Sequence, residues 1–538
     1  MTNFNSIRNL LLIGVAGVAL AGCGGADDVA SPGEGVIVVP GTGGGGGTPT
    51  PTPTPPPAGT PAAACPTVAG LTLTDQGTSG AFRLCRLPAS IIADAPLPSV
   101  NNLAYVIDGR VDVGIDVGGS STPNSTGRSA ILTVNPGVIV VARSGDSTND
   151  FLVVNRGSRL NAEGTSSQPI IFTALENTTG GVTDSSQGLW GGIILAGRAP
   201  LSDCDPAVST SLIGGSAGCA RLVEGTGNVA GGGDVSGDSS GNLRYVQIRY
   251  SGVAISAGNE LQGLTTAGVG RGTNIDHIQI HNSADDGVEI FGGTHNARYL
   301  VMTGTDDDDL DTDFGYNGSI QFVLGIKRTG NGSSDPANLE VDSNNNREAA
   351  PRQKLRLANF TFLSPQNFQS IHIRGGADAT LVNGIVRNTV GPCLVISHAE
   401  TLRAATASPP ADPVSGVVAP DLGPPRFDSV LLECPTAFAP GSGTTAADIQ
   451  AAFFMGTNNS STTPNLLTNV YFPGTGATGA TPFNAATLNP SGESFLVSTT
   501  FVGGISSSNQ TEYQGWTCNS GFANFGGTST SCTSLPSV

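Results

Sequence analysis

The 538-residue sequence predicts an all-β chain organised as a parallel β-helix, a solenoid with inserted loops. Three observations lead there. Long amphipathic helical periodicity is almost absent, and the best helical stretch is a short one around Ala446–Phe454. Short β-branched runs recur between Gly, Asn and Asp. One six-residue pattern also keeps returning: Leu243-Arg-Tyr-Val-Gln-Ile248, Ile275-Asp-His-Ile-Gln-Ile280, Ala297-Arg-Tyr-Leu-Val-Met302, Leu357-Ala-Asn-Phe-Thr-Phe362, Leu381-Val-Asn-Gly-Ile-Val386, Phe427-Asp-Ser-Val-Leu-Leu432 and Leu467-Thr-Asn-Val-Tyr-Phe472. The starts lie 32, 22, 60, 24, 46 and 40 residues apart. Spacings of 22–24 suit one coil, and the longer ones suit one or two coils with inserted loops. A propeller blade needs about 40–45 residues and several strands of its own.

In chain order, the first element is a secretory signal. Arg8 precedes an apolar run from Leu10 to Leu20, which is too short to span a membrane because a spanning helix needs about 20 apolar residues. The run ends in Leu20-Ala21-Gly22-Cys23, which resembles the bacterial lipobox. That resemblance implies removal of residues 1–22 and acylation of Cys23, with palmitate-type chains holding the protein to a membrane. Gly24, in place of Asp, implies the outer membrane by the same resemblance, on its periplasmic or cell-surface side. The alternative is an ordinary signal peptide cut near Ala21. Residues 23–64 follow as a Gly-rich, then Thr-Pro-rich linker that cannot bury a core and serves as a tether.

The body begins at Cys65, with residues 65–400 as the β-helix core. Within each repeat, Val246 with Ile248 and Ile278 with Ile280 point inward, and polar neighbours point outward. Pro- and Ala-rich stretches at 405–425 break the repeat. Residues 401–538 are therefore expected to continue the solenoid with loops and a disulfide-stapled C-terminal cap. A net charge of −18 argues against nucleic acid, whose phosphates demand basic surface. Eight cysteines remain beside Cys23, an even set in an exported chain. They fall into neighbouring couples: Cys65–Cys85, Cys204–Cys219, Cys393–Cys434 and Cys518–Cys532. With no C-x-x-C and only five His, a zinc-cysteine reading is weak.

The succession Ile131–Val141, Phe151–Leu160, Pro169–Thr173, Gly188–Gly197 and Asp285–Gly293 resembles a broad set of bacterial surface-associated proteins with right-handed parallel β-helices, mostly uncharacterised lipoproteins. The resemblance covers about residues 100–390. It implies the fold and carries no established reaction. Trp190 in this stretch is read as core packing, with ligand stacking as the alternative.

The most unusual segment is Asp306-Asp-Asp-Asp-Leu-Asp-Thr-Asp313, one coil after Asp285-Asp286. Stacked in register, Asp306, Asp307, Asp308, Asp309, Asp311 and Asp313 form an acidic ridge able to hold Ca²⁺, which takes six to eight oxygen ligands. The alternative is that these aspartates cap turns and keep exposed strands soluble. A glycoside hydrolase would need two carboxylates, and Asp285 or Asp286 with one of Asp306–Asp309 is the available pair. A lyase would need an Arg or Lys base, for which Arg374 is the nearest candidate. No P-loop, dinucleotide fingerprint, zinc helix or G-x-S-x-G is present. The expected function is a lipid-anchored cell-envelope protein that binds a glycan or surface partner. A Ca²⁺-assisted polysaccharide lyase or hydrolase, and an accessory lipoprotein of an outer-membrane transporter, are the alternatives.

Overall fold

The computed structural model describes residues 59–537 apart from 144–148, 257–258, 331–332 and 407. The expected signal peptide, Cys23 and the expected linker up to residue 58 lie outside the described residues. The linker's last residues are docked, because Asn102 donates to the Thr60 carbonyl and Arg83 to that of Ala62.

Among the described residues, the chain forms one sheet of 15 strands and one of 11, almost wholly parallel and both running along the solenoid. This is the expected parallel β-helix. The first sheet contains Gly241–Arg249, Asn274–His281, Asn296–Thr303, Ser319–Ile326, Arg356–Ser364, Thr380–Asn388 and Arg426–Glu433. The second contains Leu264–Ala267, Val288–Phe291, Leu310–Asp313, Leu339–Asp342, Ile371–Arg374, Pro392–Ile396 and Thr436–Pro440.

Each long strand of the first sheet bends at one residue in the left-handed region: Tyr245, His277, Tyr299, Phe322, Asn359, Asn383 and Ser429, with φ between 52° and 65°. Nearer the N-terminus the two halves of this side are separate strands. Arg159–Glu163 pairs with the first half of Gly241–Arg249, and Ile170–Ala174 pairs with the second half. Each coil therefore has three sides, and the left-handed residues form one corner.

The interior is a set of columns fixed by register. Leu243, Ile275, Ala297, Ile320, Leu357, Leu381 and Phe427 lie opposite one another in successive coils, and all are buried. Large residues are matched by glycine. A Cβ at Gly384 would lie 2.0 Å from the Phe360 ring, and one at Gly325 would lie 2.9 Å from the Phe362 ring. Such close packing tolerates no extra methylene. The Gly325 substitution also explains the 60-residue gap in the repeat. Ser319–Ile326 is a coil whose last inward position, apolar elsewhere, is glycine. Trp190 is buried in the core and donates its Nε1–H to the Arg249 carbonyl at 2.8 Å.

All four disulfides join the sequence-neighbouring couples. Two expectations are corrected. Leu467–Phe472 is not a coil, since Leu467–Thr468 pairs antiparallel with Phe472–Pro473 outside the solenoid. Nor does Cys518–Cys532 close the far end. That end is covered by the helix Ala446–Phe453, which is capped by Thr445 and Asp448 and buries Ile449, Ala452 and Phe453.

From there the chain turns back along the first sheet. Three outward amides receive it, each pairing with the N–H and C=O of a single residue: Asn383 with Phe483, Gln321 with Val497 and Gln279 with Cys518. Arg249, fully buried, donates to the carbonyls of Cys532 and Ser534 at 2.8 and 2.9 Å. Leu535 ends the segment in an apolar cluster with Phe82, Leu84 and Val106 of the first coils.

Candidate cation-binding cleft

On the second sheet, inserted residues Val223, Val229 and Leu261 cover the outward apolar side chains of the earlier strands, among them Phe151, Val153 and Ile194, whereas the next coils present a polar outer face. Their strands Val288-Glu-Ile-Phe, Leu310-Asp-Thr-Asp, Leu339-Glu-Val-Asp and Ile371-His-Ile-Arg share one pattern. The first and third residues point inward and are buried. The second residues stack outward as Glu289, Asp311, Glu340 and His372, in direct register. The last residues give a second column in which Asp342 lies opposite Arg374. Neighbouring coils stack about 4.8 Å apart, so each carboxylate meets the next.

The corner that leads into these strands adds the double aspartates. Successive turns are tied to one another: the Gly287 amide donates to the Asp308 carbonyl at 2.8 Å, and Asp308 N–H to Asp286 Oδ1 at 2.8 Å. Together the column and the corner enclose a cleft of about 300 Å³. Ten carboxylates line it: Glu224, Glu260, Asp285, Asp286, Glu289, Asp307, Asp308, Asp311, Asp335 and Glu340. Arg374 is the one basic side chain in the lining, and it is tied to Glu340 at 2.5 Å and to Asp342 at 2.8 Å.

This arrangement sets the electrostatics. Burial, followed by the charges of Asp307, Glu260 and Glu224, pushes Asp285 up to about 8. Burial and then Glu260 push Glu224 up to about 7. Asp286, Glu289, Asp308 and Asp311 are held well above the ordinary carboxylate range, first by burial and then by neighbouring carboxylates. Like charges packed in a dehydrated site disfavour ionisation. Glu289 is 6 % exposed, its Oε2 is buried without a hydrogen-bond partner, and Asp311 Oδ1 is in the same state. Buried acceptors of this kind are normally satisfied. Two sets of three carboxylates, Asp285/Asp286/Asp307 and Asp286/Glu289/Asp311, bring their oxygens within 4.8 Å of one another. Clustered oxygens with unused lone pairs suit a hard divalent cation such as Ca²⁺.

The aspartate run is divided by the turn. Asp307, Asp308 and Asp311 reach the cleft, beside Asp285, Asp286 and Arg374. Asp309 turns away from it, accepting from Thr305 Oγ1 and, at 2.7 Å, from Asn338 Nδ2. Asp306 takes a hydrogen bond from Gln187 at 3.2 Å, and Asp313 lies in the second column. The sequence reading missed Glu224, Glu260, Glu289, Asp335, Glu340 and His372. Aligning the four short strands by their inward residues would have exposed Glu289, Glu340 and His372.

A family model described as "Pectate-lyase like beta helix domain" matches residues 122–411, more than half of the chain and the whole of the cleft. The chain belongs to the pectate-lyase-like β-helix family. No curated protein and no solved structure matches it. The family is compatible with glycan interaction or with polysaccharide lysis.

Proposed function

We propose that this pectate-lyase-like protein is a lipid-anchored cell-envelope protein that binds an acidic polysaccharide through Ca²⁺ held in the acidic cleft. The observation that carries the reading is the cleft's charge: ten carboxylates face one arginine. Such a surface repels a polyanion unless cations bridge the two. Glu289 and Asp311 supply unused buried oxygens for the cation, with Asp286, Asp307 and Asp308 beside them. The glycan's own carboxylates would complete the coordination, since Ca²⁺ takes more ligands than one corner offers. The anchor at Cys23 is part of this proposal. Labelling with a fatty-acid analogue tests it, and Cys23→Ser should abolish the label and release the protein from membranes.

Arg374 favours binding over elimination. An effective general base has a pKa near the working pH. Arg374 is instead held in its charged form, well above the usual arginine value, by Glu340 and Asp342 despite its burial. Ca²⁺-assisted lysis is the second reading, and the family membership is what favours it. The deciding experiment incubates the purified protein with polygalacturonate, with Ca²⁺ or with a chelator. Binding that needs Ca²⁺ and releases no unsaturated ends is expected. Chelator-resistant binding, or no binding, overturns the proposal, and unsaturated products transfer it to the second reading.

A further inference from the structure

One group at the end of the cleft has a different chemistry. His372 is 7 % exposed, and its Nδ1 is buried without a hydrogen-bond partner. Two carboxylate oxygens face that nitrogen from beyond hydrogen-bonding distance: Glu340 Oε2 at 3.7 Å and Asp335 Oδ2 at 4.0 Å. The three donor atoms lie within 4.8 Å of one another. Ligands about 2.0–2.1 Å from a shared tetrahedral ion stand roughly 3.4 Å apart. The spacing is therefore too long for a hydrogen bond and close to that of two ligands on one metal.

The other atom of each side chain is held separately. His372 Nε2 meets Ser397 Oγ at 2.9 Å. If Nε2–H donates there, the Nδ1 lone pair is left pointing at the carboxylates. Gln369 Nε2 donates to Asp335 Oδ1 at 2.7 Å. Arg374 holds Glu340 Oε1 at 2.5 Å. Outer partners that fix the orientation of each ligand are characteristic of built metal sites. Glu340 and His372 are rigidly placed, since they lie opposite each other on adjacent strands. Asp335 sits in a loop and is half-exposed, which leaves an open side.

We propose that His372, Glu340 and Asp335 bind a borderline divalent transition ion such as Zn²⁺, separately from the all-oxygen Ca²⁺ sites. An imidazole nitrogen with two carboxylates selects such ions over Ca²⁺, which prefers oxygen alone. Three protein ligands leave the fourth position to water or to an incoming anion. The site does not depend on the glycan reading, because its donors are complete without a polysaccharide.

Cobalt(II) is the probe, because its visible ligand-field bands report nitrogen and oxygen coordination directly. The purified full chain, kept in excess Ca²⁺, should bind one equivalent of Co²⁺ and release it to Zn²⁺. His372→Gln and Asp335→Asn should each weaken Co²⁺ binding at least as much as losing an outer partner does, about 10- to 100-fold, and Gln369→Ala should fall in that range. Asp335 is exposed, so its variant keeps the test valid even if His372→Gln folds poorly. Glu289→Gln should lose Ca²⁺-dependent binding to polygalacturonate and keep the Co²⁺ bands, so failure of either proposal leaves the other measurable. The site is overturned if Co²⁺ does not bind in excess Ca²⁺, or if Asp335→Asn retains the stoichiometry and spectrum of the parent.

Discussion

The two long sheets share a backbone geometry and an apolar interior but differ on their outer faces. The first sheet presents Val301, Leu324 and Ile326 with a stack of rings: Tyr245 on His277 at 4.4 Å, His277 on Tyr299 at 4.3 Å and Tyr299 on Phe322 at 4.7 Å. The C-terminal segment covers this face, seating Trp516 and Tyr513 on the rings and pairing Glu512 with His277 at 2.6 Å. The second sheet presents Glu289, Asp311, Glu340 and His372, and no segment of the described chain lies over that column in the same way. An apolar outer face gains stability by being covered. A charged one costs stability, which is tolerated where the charge serves another purpose. From Val288 to Arg374 the solenoid thus separates its tasks, with one face for integrity and the other for ligands, while the earlier coils of the second sheet are covered by Val223, Val229 and Leu261.

The covered face should be the more fragile. Trp516 is fully buried, so Trp516→Ala should cost about 3–5 kcal/mol, read by denaturant titration. The same variant should make the C-terminal segment cleavable by protease. If the segment stays protected, the comparison fails on that side.

On the open face the direction is set by pH. The folded-state pKa values of Glu224 and Asp285 are raised, so the folded protein binds more protons than the unfolded chain between pH 4 and 8. In chelator, stability should therefore be highest near pH 4–5 and fall as pH rises through 7 and 8, with Glu224 alone contributing about 3 kcal/mol. Ca²⁺ should flatten the decline. Thermal melts at several pH values check both, and a stability that rises with pH in chelator would contradict the electrostatic reading.

A weaker probe of the covered face is its staple. Cys518–Cys532 closes a short loop with a sequence separation of 14. Its removal by Cys518→Ser with Cys532→Ser should cost about 2–3 kcal/mol by loop entropy. Faster hydrogen exchange should then be confined to the segment after residue 483.

The inner faces were legible in the sequence, because alternation such as Val246/Ile248 reports burial locally. The outer faces were not. Gln247 and Gln279 look like ordinary solvent-facing amides, yet they receive residues 269 and 239 positions away. The pairing of backbone with amide side chains leaves no periodic trace. Asp308 and Asp309 are neighbours of identical type, yet only Asp308 lines the cleft, because the chain turns between them. Composition revealed the acidic run, and the register between coils places Glu289 and Glu340 as its continuation, a link that the shared pattern of the short strands carries but composition does not. The eight cysteines paired as neighbours because each couple closes a local loop or joins adjacent coils.

The smallest expected effect is the most specific to the open face. Glu289 is buried in the acidic column, and the structure gives its side chain no hydrogen-bond donor. Glu289→Gln keeps the shape and removes a charge that its surroundings oppose. In chelator at pH 8, the variant should be more stable than the parent, because burial and the neighbouring carboxylates hold the Glu289 carboxyl well above the ordinary carboxylate range. The advantage should vanish near pH 4, where the parent's carboxyl is protonated in both folded and unfolded states. With Ca²⁺ the order should reverse. Binding to the folded state stabilises the parent by mass action, whereas the variant has lost a ligand. Paired melts in chelator and in Ca²⁺ measure the crossing. A variant less stable than the parent in chelator at pH 8 would mean that Glu289 carries a stabilising contact, and the open face would then be structural like the covered one.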